Sequence, residues 1–162
     1  VCISYSKIED IMKLFIASLF VFIFISLSFA QEREKFDPKR DASKDIKTAV
    51  KQAQKNDKRI LLDVGGEWCI WCHRLDQFFT DNKDINDLLK GKYIVVKVNY
   101  SPENKNEKVL SQYPKIPGYP HIFILDKNGK LIHSQNTGEL EKDKGYDREK
   151  VIAFLNKWSA GK

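Results

Sequence analysis

Two cysteines three positions apart, Cys69 and Cys72 in the run Gly65-Gly66-Glu67-Trp68-Cys69-Ile70-Trp71-Cys72-His73, stand where the pattern of the chain changes. Before them Ile60-Leu61-Leu62-Asp63-Val64 is a short apolar run of strand type. After them Trp71, Leu75, Phe78 and Phe79 recur at helical spacing, which predicts a helix from Cys69 to about Thr80. The chain is thereby held to folds in which a strand runs directly into a helix N-terminus, with both sulfurs at the junction. Orphan N–H groups and the helix dipole stabilise a thiolate there. Cys69, at the helix start, is the expected exposed nucleophile, and Cys72, one turn deeper, the resolving thiol. Cysteines at this spacing can close a disulfide or contribute to a metal site.

The N-terminus bears on the redox compartment. Met12-Lys13 opens an apolar run from Leu14 to Leu27, and Ser28-Phe29-Ala30 places small residues one and three positions before Gln31. A basic start, an apolar core and a small-x-small end make a secretory signal peptide over residues 12–30, cut after Ala30. The alternative is an uncleaved membrane anchor over 14–30, near the short limit of about 17–25 residues that span a bilayer. Glu9 and Asp10 are foreign to a signal n-region, so residues 1–11 are expected to be an over-extended start, with translation beginning at Met12. Cys2 then falls away, leaving an exported, most simply bacterial periplasmic, chain with Cys69 and Cys72 free to pair.

Residues 31–41 read as a polar leader and 42–162 as one domain. The net charge is +6, and basic residues cluster between Arg33 and Arg59. Glu32, Glu34, Asp37, Asp41, Asp45 and Asp57 interrupt the cluster, which argues for a solvated helix face and against nucleic-acid binding. A monomer is expected.

A helix from Asp41 or Ser43 to about Asn56 leads into the Ile60–Val64 strand. Ile85, Leu88 and Leu89 predict a further helical piece ending near Gly91. Tyr93–Tyr100 is a second strand, followed by a charged loop and a helix holding Val109, Leu110 and Tyr113. Pro114, Pro117, Gly118 and Pro120 forbid helix beyond that. His121–Asp126 is a third strand, Asn128-Gly129 signals a hairpin, and Leu131–Ser134 is its partner. Residues 139–148 are expected to be a loop before a last helix, Glu149 to Trp158. The order α-β-α-β-α-β-β-α predicts an α/β fold with a central mixed sheet flanked by helices on both faces.

That order, with Cys-x-x-Cys after the first strand and Gly118-Tyr119-Pro120 before a hairpin, resembles the thioredoxin fold. Asp63 stands six residues before Cys69 and Trp68 directly before it, as in thioredoxins. Lys97 matches a lysine that faces the aspartate, and Pro120 matches the cis-proline that packs against the disulfide. Gly129 and Gly138 match glycines near the hairpin. The large residues Ile70 and Trp71, with His73 after them, are more similar to the reducing domains of bacterial thiol:disulfide interchange proteins. Gly65 departs from the pattern, standing where thioredoxin has an aromatic residue.

The resemblance implies a thiol–disulfide oxidoreductase that acts on protein disulfides and exchanges electrons with a membrane or periplasmic partner, without a cofactor. A carboxylate buried without a partner has a raised pKa, so Asp63 is expected to take the Cys72 proton near neutral pH. Lys97 moderates it by charge, unless it is an outward surface lysine. Trp68, Ile70, Trp71, Gly118 and Tyr119 are candidate substrate contacts, with the Tyr119 backbone offering strand-like pairing. Trp71 is as readily an inward core residue. His73 is either a bystander or a tuner of the thiolate. Other readings stay open: a non-catalytic binding module stapled by the disulfide, or haem attachment at Cys69, Cys72 and His73. No metal is expected, because one Cys-x-x-Cys plus His73 supplies too few well-spaced ligands for structural zinc.

Overall fold

The computed structural model describes residues 35–159. The start at Met12, the signal peptide over 12–30 with its cut after Ala30, the alternative anchor over 14–30 and the first residues of the leader lie outside them.

Helix α1 (Ala42–Asn56) begins at Asp41, whose side chain accepts from the N–H groups of Ser43 and Lys44. It ends at Asp57 in the left-handed region (φ 51°), which turns the chain into β1 (Arg59–Gly65). Helix α2 (Ile70–Asp81) and helix α3 (Lys83–Lys92) meet at Asn82, which caps the first and opens the second. Strand β2 (Tyr93–Asn99) follows, then the single turn α4 (Glu107–Leu110). Strands β3 (His121–Leu125) and β4 (Leu131–Asn136) form the expected hairpin. Its turn is built by Asp126, whose carboxylate accepts from Asn128 and Lys130 N–H, with Gly129 at φ +86°.

Residues 139–148 correct the expected loop. A 3-10 turn (Thr137–Leu140) leads into a two-stranded ribbon, β5 (Glu141–Lys142) and β6 (Gly145–Tyr146). Helix α5 (Arg148–Trp158) is then capped by Asp147. Strands of two residues carry no periodic signal, so sequence pattern cannot reveal them. The helix expected to hold Tyr113 also stops early, at Leu110.

The sheet order is β2-β1-β3-β4. Strands β1 and β2 are parallel, while β3 is antiparallel to both β1 and β4. Alternation along β1 divides the core. Ile60, Leu62 and Val64 face α1 and α4 with Val96, Val98 and Phe123. Leu61 faces α2, α3 and α5 with Leu75, Ile122, Ile124 and Leu155. Helices therefore cover both faces, giving the α/β thioredoxin fold. Asp63 shares the parity of Leu61, so this pattern aims a carboxylate into an apolar layer beneath α2. Because β1 and β3 run in opposite directions, the end of one lies beside the start of the other, with Val64 opposite His121. The turn after β1 and the turn before β3 thus emerge together at one end of the sheet.

Candidate active site

Cys69 and Cys72 are joined in a disulfide, their Cα atoms 5.2 Å apart. Cys69 is the N-cap of α2. Its carbonyl accepts from the N–H groups of Cys72 and His73, and its Sγ accepts from Cys72 N–H at 3.2 Å. One N–H of the first helical turn, that of Cys72, is therefore aimed at the first sulfur of the motif. Cys72 is fully buried and Cys69 is 5 % exposed. The openly exposed Cys69 expected from sequence is corrected: Phe36, Trp71 and Tyr119 pack against the pair.

A group of buried charges is joined to the disulfide through the Phe36 ring, which packs against both cysteines and faces Lys97. The parallel register of β1 and β2 sets Asp63 opposite Lys97. Lys97 Nζ donates to Asp63 Oδ2 at 2.6 Å and to Asp76 Oδ1. All three side chains are buried, so the surface-lysine alternative is excluded. Burial works against the Lys97 charge, but the carboxylates of Asp63 and Asp76 outweigh it and hold its pKa above the ordinary lysine value. Asp63 is accordingly not the partnerless carboxylate expected. Asp76 was missed by sequence reasoning, although a signal was present: it stands four residues after Cys72, on the same face of α2.

The Tyr119–Pro120 peptide bond is cis. Thr137, after β4, donates from its hydroxyl to the Pro120 carbonyl. His121, next in the chain, is buried, with Nε2 2.8 Å from Ser134 Oγ. Burial, assisted by nearby His133, pushes the His121 pKa down to about 4.

Trp68 and Ile70 are the large apolar side chains left exposed among the described residues, at 57 % and 60 %. Trp68 meets the Tyr119 ring edge-on at 5.7 Å, and Tyr119 stacks on Tyr100 at 4.8 Å. The Trp68 indole N–H donates to the Tyr100 carbonyl at 2.7 Å. On its other side an open apolar groove of about 900 Å³ is bordered by Phe36, Pro38, Tyr100 and Pro102. The structure thus brings Trp68 and Tyr119 together beside the disulfide. Trp71 is turned towards the core, edge-on to Tyr146 at 5.9 Å and covered by Arg74. Tyr146, from the ribbon, donates to the Trp71 carbonyl. Gly118 faces open space. His73 Nε2 lies 2.8 Å from the Glu67 carbonyl, a bond made by the Nε2–H tautomer. Among the described residues no three His, Cys, Asp or Glu side chains converge as a metal-ligating group.

Phe36 was missed as well, as was Thr137. Phe36 stands in the expected leader, yet it is 1 % exposed and packs against both cysteines. One aromatic in a polar stretch carries no periodicity by which to place it.

The sequence model of the thioredoxin-like family matches residues 41–127, more than half of the chain. Disulfide bond reductase DsbH of Chlamydia pneumoniae is 26% identical over 93 residues, covering 52% of this chain and 55% of that protein. Thiol:disulfide interchange protein DsbD of Klebsiella pneumoniae is 22% identical over 108 residues, covering 67% of this chain and 17% of that protein. The aligned part thus spans about half of the first relative and under a fifth of the second. Among solved structures, disulphide isomerase from Xylella fastidiosa Temecula1 superposes with a TM-score of 0.66 at 25% identity, over 75% of this chain and 94% of that one. The oxidised C-terminal domain of DsbD from Neisseria meningitidis shares the fold, with a TM-score of 0.53 at 16% identity over 73% of this chain and 96% of that one.

Proposed function

We propose that this chain, which belongs to the thioredoxin-like family, is an exported thiol–disulfide oxidoreductase acting on protein disulfides through Cys69 and Cys72. The observation that carries this reading is the disulfide at the start of α2, packed against Tyr119 of a cis Tyr119–Pro120 turn and joined through Phe36 to the buried Asp63–Lys97–Asp76 group. A merely structural staple needs none of these surroundings.

In the reduced protein the Cys69 thiolate attacks one sulfur of a substrate disulfide. The substrate S–S bond breaks, one substrate thiolate leaves and a mixed disulfide forms. Cys72 then loses its proton and attacks Cys69 Sγ. The Cys69–substrate bond breaks, and the second substrate thiolate leaves with the electron pair. The substrate has gained two electrons and the Cys69–Cys72 disulfide is restored, to be reduced again by an external dithiol donor. Asp63 takes the Cys72 proton, with Lys97 setting how readily it does so. Trp68, Ile70 and Tyr119 hold the substrate segment, and Tyr119 offers its backbone for strand-like pairing. The domain spans residues 42–162, extended at its start by Phe36.

Export rests on the signal-like segment over 12–30. The reducing or interchanging direction rests on the resemblance, and two relatives are named a disulfide bond reductase and an interchange protein.

Reduction of insulin by the purified chain, with Cys69→Ser as control, tests the activity. Cysteine-dependent turnover is expected, and its absence with every reductant would defeat the proposal. Equilibration with a glutathione buffer tests the direction. A potential near about −270 mV supports a reductase, and one near about −120 mV would make the protein an oxidant.

A further inference from the structure

Gly65 marks the place where the redox site is built differently. A Cβ added there would lie 2.5 Å from Cys72 Sγ and 3.1 Å from the Phe36 ring. The space beside β1 is therefore filled from outside the strand, by an aromatic ring delivered 29 positions earlier in the chain. That ring bridges two parts of the site. It packs against the Cys69–Cys72 pair, and Lys97 Nζ sits 4.4 Å from its centroid. An ammonium over a ring face is attracted by the ring quadrupole, more strongly where water is excluded.

Two further bonds hold the segment in place. Phe36 N–H donates to Glu67 Oε1 at 2.8 Å, and Asn104 Nδ2 donates to the Pro38 carbonyl at 2.9 Å. Glu67 belongs to the turn that carries Cys69, and Asn104 to the loop after β2. The segment is thus tied to both sides of the site.

We propose that Phe36 is a positioning residue for thiol–disulfide exchange: its ring seals the Cys72 sulfur from water and holds the Lys97 ammonium over Asp63 and Asp76, so that it governs the resolving step. This rests on the reading of Cys69 as attacking and Cys72 as resolving thiol. In that step the Cys72 proton passes to a base, the Cys72–Cys69 bond forms and the Cys69–substrate bond breaks. The sulfur's surroundings lie against this ring, and so does the Lys97 ammonium that pairs with the proton's destination, Asp63. The attacking step moves no proton from Cys72 and calls on neither Asp63 nor Lys97, so it depends on the ring less.

The two steps separate in one experiment. The pre-reduced protein is mixed with one equivalent of an aryl disulfide that liberates a coloured thiol. The first equivalent appears when Cys69 attacks and the second when Cys72 resolves. The wild type is expected to show both phases and Cys72→Ser only the first. Phe36→Ala is expected to slow the second phase at least about threefold more than the first and to move the midpoint of its pH profile. Should that variant fail to fold, Phe36→Leu, which keeps an apolar plug but loses the ring face, is judged by the same criterion. Equal slowing of the two phases with an unmoved pH profile overturns the inference while leaving the exchange reading intact. No cysteine-dependent release from the wild type removes the exchange reading, and this inference with it.

Discussion

Gly65 leaves no space for even a methyl group, because Cys72 Sγ and the Phe36 ring already occupy its surroundings. Gly65→Ala therefore forces a rearrangement of the redox site and should cost about 1–3 kcal/mol, read as a lowered urea midpoint of the oxidised protein. Lys97 is the other residue on which much depends. Replacing it by Met leaves Asp63 and Asp76 buried without their shared cation, at an expected cost of about 3–5 kcal/mol. Its raised pKa also fixes a pH dependence. The folded state holds the Lys97 proton more tightly than the unfolded chain, so the stabilisation is complete below the unfolded value of about 10.4. It is lost as pH rises through the folded value. Alkaline urea titrations should show this loss in the wild type and not in Lys97→Met. At this scale Cys69 and Cys72 were legible from their spacing at a strand-to-helix junction, whereas Asp63 and Lys97 were reached through the resemblance to thioredoxins. Phe36 and Thr137 escaped both, because what brings them to the site is tertiary packing rather than any repeat along the chain.

Among the elements, β3 links the site to acid stability. Its first residue, His121, is buried beside Pro120 and against Phe123, with a folded pKa of about 4. The unfolded chain takes up this proton near pH 6.5 and the folded chain does so only lower. Stability therefore falls as pH drops from about 6.5 towards 4. His121→Gln should flatten that part of the curve of urea midpoint against pH, and an unchanged slope would assign it to other groups. The helices α1, α2 and α5 and the four sheet strands were all legible, from helical periodicity, short apolar runs and the Asn-Gly turn. The ribbon of β5 and β6 was not, since its two-residue strands are fixed by contact with α2: Tyr146 packs edge-on against Trp71 and reaches its carbonyl. That contact also decides the orientation of Trp71, which sequence left open between lip and core.

For the whole molecule, the antiparallel pairing of β1 with β3 gathers Cys69, Cys72 and Pro120 at one end of the sheet. The same pairing sends the turn at Asp126–Lys130 to the opposite end, with Leu125 opposite Ile60 at the start of β1. Five residues of strand separate the two ends, about 17 Å. At that far end the exposed side chain of Lys127 reaches Asp57, and Gln54 reaches Asn128, contacts that leave the redox machinery untouched. The molecule thus has a handle. A short Gly/Ser insertion or a surface tether between Lys127 and Asn128 should leave insulin reduction within about twofold of the parent, as exposed loop tips tolerate added chain. The same insertion between Gly118 and Tyr119 should abolish it. Immobilised by this turn, the protein would present its disulfide outward, every copy in the same orientation.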